Sequence, residues 1–192
     1  MIRITGGKNR SRLLETPSSC LTKPTMDKVR ASVFNALNGE IDSKKVLDLF
    51  SGSGSYGFEA LSRGASSVTF IDKQAEAINV IKKNALNLKE NNINIIKDDV
   101  LSALDNLNEQ FDLVFVDPPY KLDVYQDVLF LLNKNDLLSE HAIIVLEAEK
   151  ELDLDFSSYQ KTKLYNYGLA KIYIVRKWNE KSDLPRFIWS DY

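Results

Sequence analysis

Two short segments carry residue types whose spacing suits chemistry. The first, Asp48-Leu-Phe-Ser-Gly52-Ser-Gly54-Ser-Tyr-Gly57, has G-x-G-x-x-G spacing, follows an apolar run and enters a stretch of helical period. In that setting glycines let the backbone turn tightly and let a ligand approach it. Asp72 lies twenty residues past Gly52, at the end of a second apolar run, where a carboxylate can take both hydroxyls of a ribose. The ligand's charge depends on Asp48. A helix N-terminus favours a pyrophosphate, but a carboxylate just upstream would repel one and would suit the ammonium and sulfonium of S-adenosylmethionine. A glycine turn that merely packs a helix on a sheet, and a strand-end aspartate, are the plain alternatives.

The second segment, Asp117-Pro118-Pro119-Tyr120, ends another apolar run, Phe111 to Val116. Two prolines stiffen the chain, and because neither has an N–H the Pro118 carbonyl is left outside any ladder. The Asp117 carboxylate and that carbonyl are two acceptors beside an aromatic ring. An exocyclic amine on a nucleobase is a poor nucleophile, since its lone pair is delocalised into the ring. Two acceptors holding both N–H bonds favour a pyramidal nitrogen, aim its lone pair, and stabilise the positive charge that develops on methyl transfer. Tyr120 would stack on an unstacked base. The plain alternative is a Pro-Pro turn at a strand end.

These residues need a scaffold that brings both segments to one edge. From residue 46 the sequence alternates short apolar runs (Val46 to Phe50, Val68 to Asp72, Ile93 to Lys97, Leu113 to Asp117, Ile143 to Glu147) with helical stretches (Tyr56 to Ser62, Gln74 to Leu88, Leu101 to Leu107, Val124 to Leu132). That pattern predicts an α/β fold, a doubly wound, Rossmann-like and mostly parallel sheet whose strands are buried on both faces. Thr162 to Tyr167 and Lys171 to Trp178, with no helix between them, predict a terminal antiparallel hairpin whose second strand suits an edge, completing seven strands. Ahead of the sheet, Met26, Val29, Val33, Phe34 and Leu37 have helical spacing, with Thr25 as N-cap and Gly39 as terminator. Ile2 and Ile4 suit a short strand, and His141 reads as a turn residue. The expected division is a basic arm and helix over 1–40, a catalytic domain over 41–180 and a tail over 181–192.

The 192 residues, 44% hydrophobic and 27% charged, suit one domain and leave no room for a second. No apolar run is long enough to span a bilayer, and the charged N-terminus is unlike a signal segment, so a cytoplasmic protein is expected. One cysteine, Cys20, and one histidine, His141, exclude an internal disulfide and a Cys/His metal cage; no metal is expected. Residues 1–30 hold seven Lys or Arg against Glu15 and Asp27, so they carry +5, and a total of −2 leaves −7 on the other 162. A basic head on an acidic body suits a polyanionic partner, or else a solvated arm. On the first reading Arg10, Arg12, Lys23, Lys28 and Arg30 form an RNA-binding surface beside the cleft.

With these residues in view, the sequence resembles the class I S-adenosylmethionine-dependent methyltransferases and, more narrowly, the RsmD family, which methylates N2 of a guanine in bacterial 16S ribosomal RNA. The resemblance runs from Ile2 to about Trp178. It includes Ile2 to Gly7, Arg10-Ser-Arg12, Lys23-Pro-Thr-Met-Asp-Lys-Val-Arg30, Phe34-Asn35, Asp48 to Gly57, Glu59 to Ala65 and Asp117 to Tyr120. The basic segment from Lys23 to Arg30 is the specific part. The resemblance implies that Asp48, Gly52, Gly54 and Gly57 hold the methionine end of the cofactor, Asp72 the ribose, and Asp99 with the Val100 backbone the adenine. Asp117, Pro118, Pro119 and Tyr120 would be catalytic. It further implies a 16S ribosomal RNA or small-subunit partner, a monomer and no membrane. Lys23 stands where an arginine is usual, Ser11 where a glycine is usual, and Asp72 where glutamate is frequent. The nearest rival is an adenine-N6 methyltransferase acting on DNA or RNA, whose chemistry is the same. A nicotinamide-dependent oxidoreductase would leave Asp48 and the Asp-Pro-Pro-Tyr segment unexplained, and a catalytically silent RNA-binding protein would leave Asp117 so.

Overall fold

A computed structural model describes residues 1–18, 24–119, 122–157 and 159–177. Seven strands form one sheet: β3 (Lys45–Leu49), β4 (Ser67–Asp72), β5 (Ile93–Lys97), β6 (Phe111–Val116), β7 (Leu138–Ala148), β8 (Tyr159–Tyr167) and β9 (Ala170–Lys177). Their order is β5-β4-β3-β6-β7-β9-β8. The first five are parallel and β9 is antiparallel to both neighbours. Helices α2 (Ser55–Ser62), α3 (Ala75–Leu88), α4 (Val100–Asn106) and α5 (Tyr125–Lys134) make the crossovers. The chain order reverses between β3 and β6, and at such a switch point the loops leaving the strands open a crevice.

Alternation along each strand feeds two cores. Val46, Val68, Phe70, Leu113, Phe115, Ile143 and Val145 face α1 (Pro24–Ala36) and α2. Leu47, Leu49, Ile71, Val114, Val116, Ile144 and Leu146 face α4 and α5. The N-terminal arm belongs to the first core: β1 (Ile2–Arg3) pairs with β2 (Leu13–Leu14), and Ile2, Ile4 and Leu14 are buried with Val33 and Phe34.

The arm follows α3 from one end to the other. Lys8 and Asn9 bond Glu90, Arg12 donates to the Asn87 carbonyl, Glu15 and Asn84 exchange hydrogen bonds, and the Ser18 N–H donates to Glu76. It lies flat because a Cβ on Gly7 (φ +72°) would fall 1.7 Å from the Ser62 carbonyl oxygen. Ser11 also has φ +72°, which accounts for the glycine expected there.

Four local expectations are corrected. α1 starts at Pro24, so Thr25 lies inside it rather than capping it. His141 is exposed within β7, in a register shift where the partner of Phe111 is Leu138 and that of Leu113 is Ile143. β9 is paired on both sides and β8 is the edge. β5 is the opposite edge and only half buried, not covered on both faces. Among the described residues no helix is long and apolar enough to cross a membrane. Cys20, Trp178 and the tail 181–192 lie outside them.

Candidate active site

The glycine turn is built from β3 and β4. Phe50 (φ +57°), Gly52 (+54°) and Gly54 (+76°) take left-handed conformations in alternation. Ser51 ties the turn to β4, bonding Ile71 through both its backbone N–H and its hydroxyl. Asp72 accepts from Gly52 N–H at 2.9 Å and from Gln74 N–H at 2.8 Å, so a ribose hydroxyl would use its remaining lone pairs. The glycines have different jobs. A Cβ on Gly52 would meet nothing closer than 3.9 Å, whereas one on Gly54 would lie 2.8 Å from the Phe58 ring and one on Gly57 2.3 Å from Phe70. Gly54 and Gly57 therefore pack α2 on the sheet, and Gly52 alone borders open space.

Asp48, Asp72 and Asp117 lie on one side of the sheet, because each follows by two residues a side chain of the first core: Val46, Phe70 and Phe115. Glu147, two past Val145, joins them. In the order β4, β3, β6, β7 the carboxyl edge thus carries Asp72, Asp48, Asp117 and Glu147 in a row. Desolvation dominates their titration. Burial pushes the Asp48 carboxyl up to about 8, against the pull of the Gly57 N–H bond and with the added push of the Asp72 charge. Asp117 is raised well above the usual carboxylate range by burial and then by the Glu147 and Asp48 charges. Glu147 is raised by burial, opposed by the Tyr56 hydrogen bond and the Arg30 charge.

Asp117 follows Val116, the last paired residue of β6, and takes no hydrogen bond from the described residues. The carbonyl of buried Pro118 likewise accepts from none of them, while that of Pro119 accepts from Leu122 N–H at 2.8 Å. Among the described residues, then, neither member of the acceptor pair expected from the sequence has a hydrogen-bond partner. Asp99 caps α4, accepting from Leu101 N–H, and is exposed; the N–H of Val100, first in that helix, has no carbonyl within it to bond. Tyr120 lies outside the described residues, as does Lys23.

Sequence pattern does not single out Tyr56 and Glu147, yet the Tyr56 hydroxyl donates to Glu147 Oε2 at 2.5 Å, and its ring stacks on Phe115 with centroids 4.7 Å apart. The one signal for Glu147 is its place as an acidic residue at the end of an apolar run, like Asp72 and Asp117.

The expected basic surface needs correction. Arg30 is 3% exposed. Its guanidinium donates to the Arg3 carbonyl and to Asp27 and sits 3.6 Å from Glu59, so it is a strut of the core rather than part of an exposed basic surface. Glu59, fully buried, also takes hydrogen bonds from Thr5 and Arg63. Arg10 and Arg12 are exposed but stand beside the last turn of α3, at the amino edge of the sheet. The helix's fourteen residues span about 20 Å, so these arginines do not border the cleft. Lys28 is exposed on α1.

A glycine turn, a carboxylate at the end of the neighbouring strand and the Asp-Pro-Pro segment on one crevice of a seven-stranded sheet ending in an antiparallel hairpin mark a class I S-adenosylmethionine-dependent methyltransferase. Comparison with known proteins narrows this. Residues 2–176 match the family described as conserved hypothetical protein 95. The chain is 37% identical over 150 residues to the ribosomal RNA small subunit methyltransferase D of Escherichia coli, covering 78% of this chain and 76% of that protein. It is 38% identical over 157 residues to the protein of the same name from Haemophilus influenzae, covering 80% and 81%. A solved Escherichia coli methyltransferase superposes with a TM-score of 0.84 at 31% identity, covering 93% of this chain and 99% of that one. The chain belongs to this family, the RsmD methyltransferases.

Proposed function

We propose that the protein transfers a methyl group from S-adenosylmethionine to the exocyclic N2 amine of a guanine in small-subunit (16S) ribosomal RNA, acting as a cytoplasmic monomer. The observation that carries this reading is the acceptor pair, Asp117 and the Pro118 carbonyl, which has no hydrogen-bond partner among the described residues and lies on the same crevice as the glycine turn. The ribosomal substrate is supported by the relatives' names.

The cofactor fits the residues present. Gly52 borders free space, Asp72 and Asp99 stand at the ends of adjacent strands for ribose and adenine, and no basic residue ion-pairs with Asp48 among the described residues. When bound, S-adenosylmethionine supplies a methyl group on a sulfonium. Asp117 and the Pro118 carbonyl each accept one N–H of the amine, turning its lone pair toward the incoming carbon. On transfer the positive charge of the sulfonium would pass to the amine nitrogen, where Asp117 would stabilise it. The amine then gives up one proton. Asp117, ionised by the positive charge beside it, would be a competent acceptor for it, before release to water.

Incubation of small ribosomal particles that lack the modification with radiolabelled S-adenosylmethionine, followed by mapping of the labelled nucleotide, tests the reading. Label on a guanine as N2-methylguanine is expected, and label on an adenine amine would overturn it.

A further inference from the structure

Asp117 and the Pro118 carbonyl suffice to hold the amine, which leaves Glu147 without a task. Glu147 directly follows Leu146, whose ladder partner Val116 directly precedes Asp117, so the two acids face each other across adjacent strands and on the same side of the sheet. The Glu147 side chain is fixed. Tyr56 from α2 donates to Oε2, and Tyr125 from α5 donates to the backbone carbonyl at 2.7 Å. Oε1 takes no hydrogen bond from the described residues, and no Lys or Arg among them forms an ion pair with this 9% exposed acid. Buried carboxylates are usually paired. The Oε1 atom of this one is not sealed from solvent, so it is free to accept from a ligand beside the group proposed to hold the reacting amine.

Resting on the guanine-N2 reading, we propose that Glu147 is the base-reading residue, accepting the N1–H of the target guanine next to the amine held by Asp117. The Watson–Crick edge of guanine presents two adjacent donors, N1–H and N2–H. That of adenine presents a donor beside the bare N1 lone pair, which would face a carboxylate and be repelled. Two neighbouring acidic side chains therefore match guanine and reject adenine, although the acceptor pair at Asp117 would suit either amine. Tyr56 acts through Glu147 as a positioning residue.

The test compares small ribosomal particles reconstituted with guanine or with 2-aminopurine at the target position. 2-Aminopurine keeps the N2 amine but has no N1–H. Wild-type protein should favour guanine in kcat/KM by about 10- to 100-fold, the range for one hydrogen bond to a charged group. Glu147→Leu should lose most of this preference, leaving only the share due to the missing O6, while Glu147→Gln, which still offers a carbonyl, should retain part of it. Calorimetry should find S-adenosylmethionine binding intact in both. An unchanged preference in Glu147→Leu would overturn the inference. So would a wild-type protein that uses both bases equally, an outcome that needs no variant to fold. Methylation at an adenine amine would instead overturn the guanine reading itself.

Discussion

The Tyr56 hydroxyl reaches 91 residues along the chain to Glu147, at 2.5 Å, and so joins the helix that carries the glycine turn to the strand beside Asp117. The same ring lies on Phe115, and Phe115 on Phe34 of α1. The two halves of the crevice are thus coupled through one aromatic cluster, and the Glu147 carboxylate is held in place before any ligand arrives. Preorganised dipoles of this kind need no rearrangement as charge develops.

Asp117→Ala should leave S-adenosylmethionine affinity within about twofold and lower kcat by about 10² to 10³, the range for removing one preorganised charge-stabilising group. Asp117→Asn should fail as well, because its amide can turn an N–H toward the amine and carries no charge. Single-turnover methylation with cofactor held saturating separates the two effects. Near-normal turnover in Asp117→Ala would sink the mechanism.

Asp48 gives a pH signature. Its folded carboxyl, pushed up to about 8 by burial, lies far above the unfolded value near 4. Folding therefore takes up a proton between those values, and the stabilisation, complete below about pH 4, is lost as pH rises towards 8. A cation beside Asp48 favours the ionised form. Cofactor affinity should accordingly rise with pH up to about 8, and calorimetry at pH 7 in buffers of different ionisation enthalpy should detect proton release. No release at pH 7, with affinity flat from pH 6 to 8, would remove Asp48 from contact with the ammonium.

The glycines should separate by readout. Gly57→Ala drives a Cβ to 2.3 Å from the Phe70 ring, so overpacking should cost about 1–3 kcal/mol of stability. Gly54→Val should unfold the turn for a similar reason, since its Cβ meets Phe58 and Phe70. Gly52→Val has open space and should lose about 1–2 kcal/mol to left-handed strain while abolishing cofactor binding. Thermal melts set beside calorimetry distinguish these patterns.

The sheet, its crossovers and the two chemical segments were legible because each depends on local pattern: apolar runs for strands, helical period for crossovers, glycine and proline for turns. What the sequence could not show depends on distant neighbours. Arg30 looks like a surface cation beside Lys28, but Glu59, twenty-nine residues later, draws it into the core. Arg10 and Arg12 are in the arm, and only the run of hydrogen bonds along α3 places them at the amino edge. β5 reads as a buried strand because its apolar composition carries no mark of the missing neighbour that makes it an edge.

The arm's cations should divide in the same way. Arg30→Ala leaves the fully buried Glu59 with one fewer cation, and breaking such a pair costs about 3–5 kcal/mol; a melting temperature lowered by several degrees is expected. Any loss of RNA binding in that variant should follow its loss of folded protein. Arg10, Arg12 and Lys28 are exposed, so replacing all three by Ala should leave the melt nearly unchanged. If they touch RNA phosphates, each cation removed should lower the slope of log affinity against log salt by about 0.7 to 0.9 in magnitude, with cofactor binding intact. Filter binding to small-subunit RNA across a salt series, with wild type and the triple variant side by side, reads this directly. Identical slopes would make the basic head a solvated arm whose task is to brace α2 and α3.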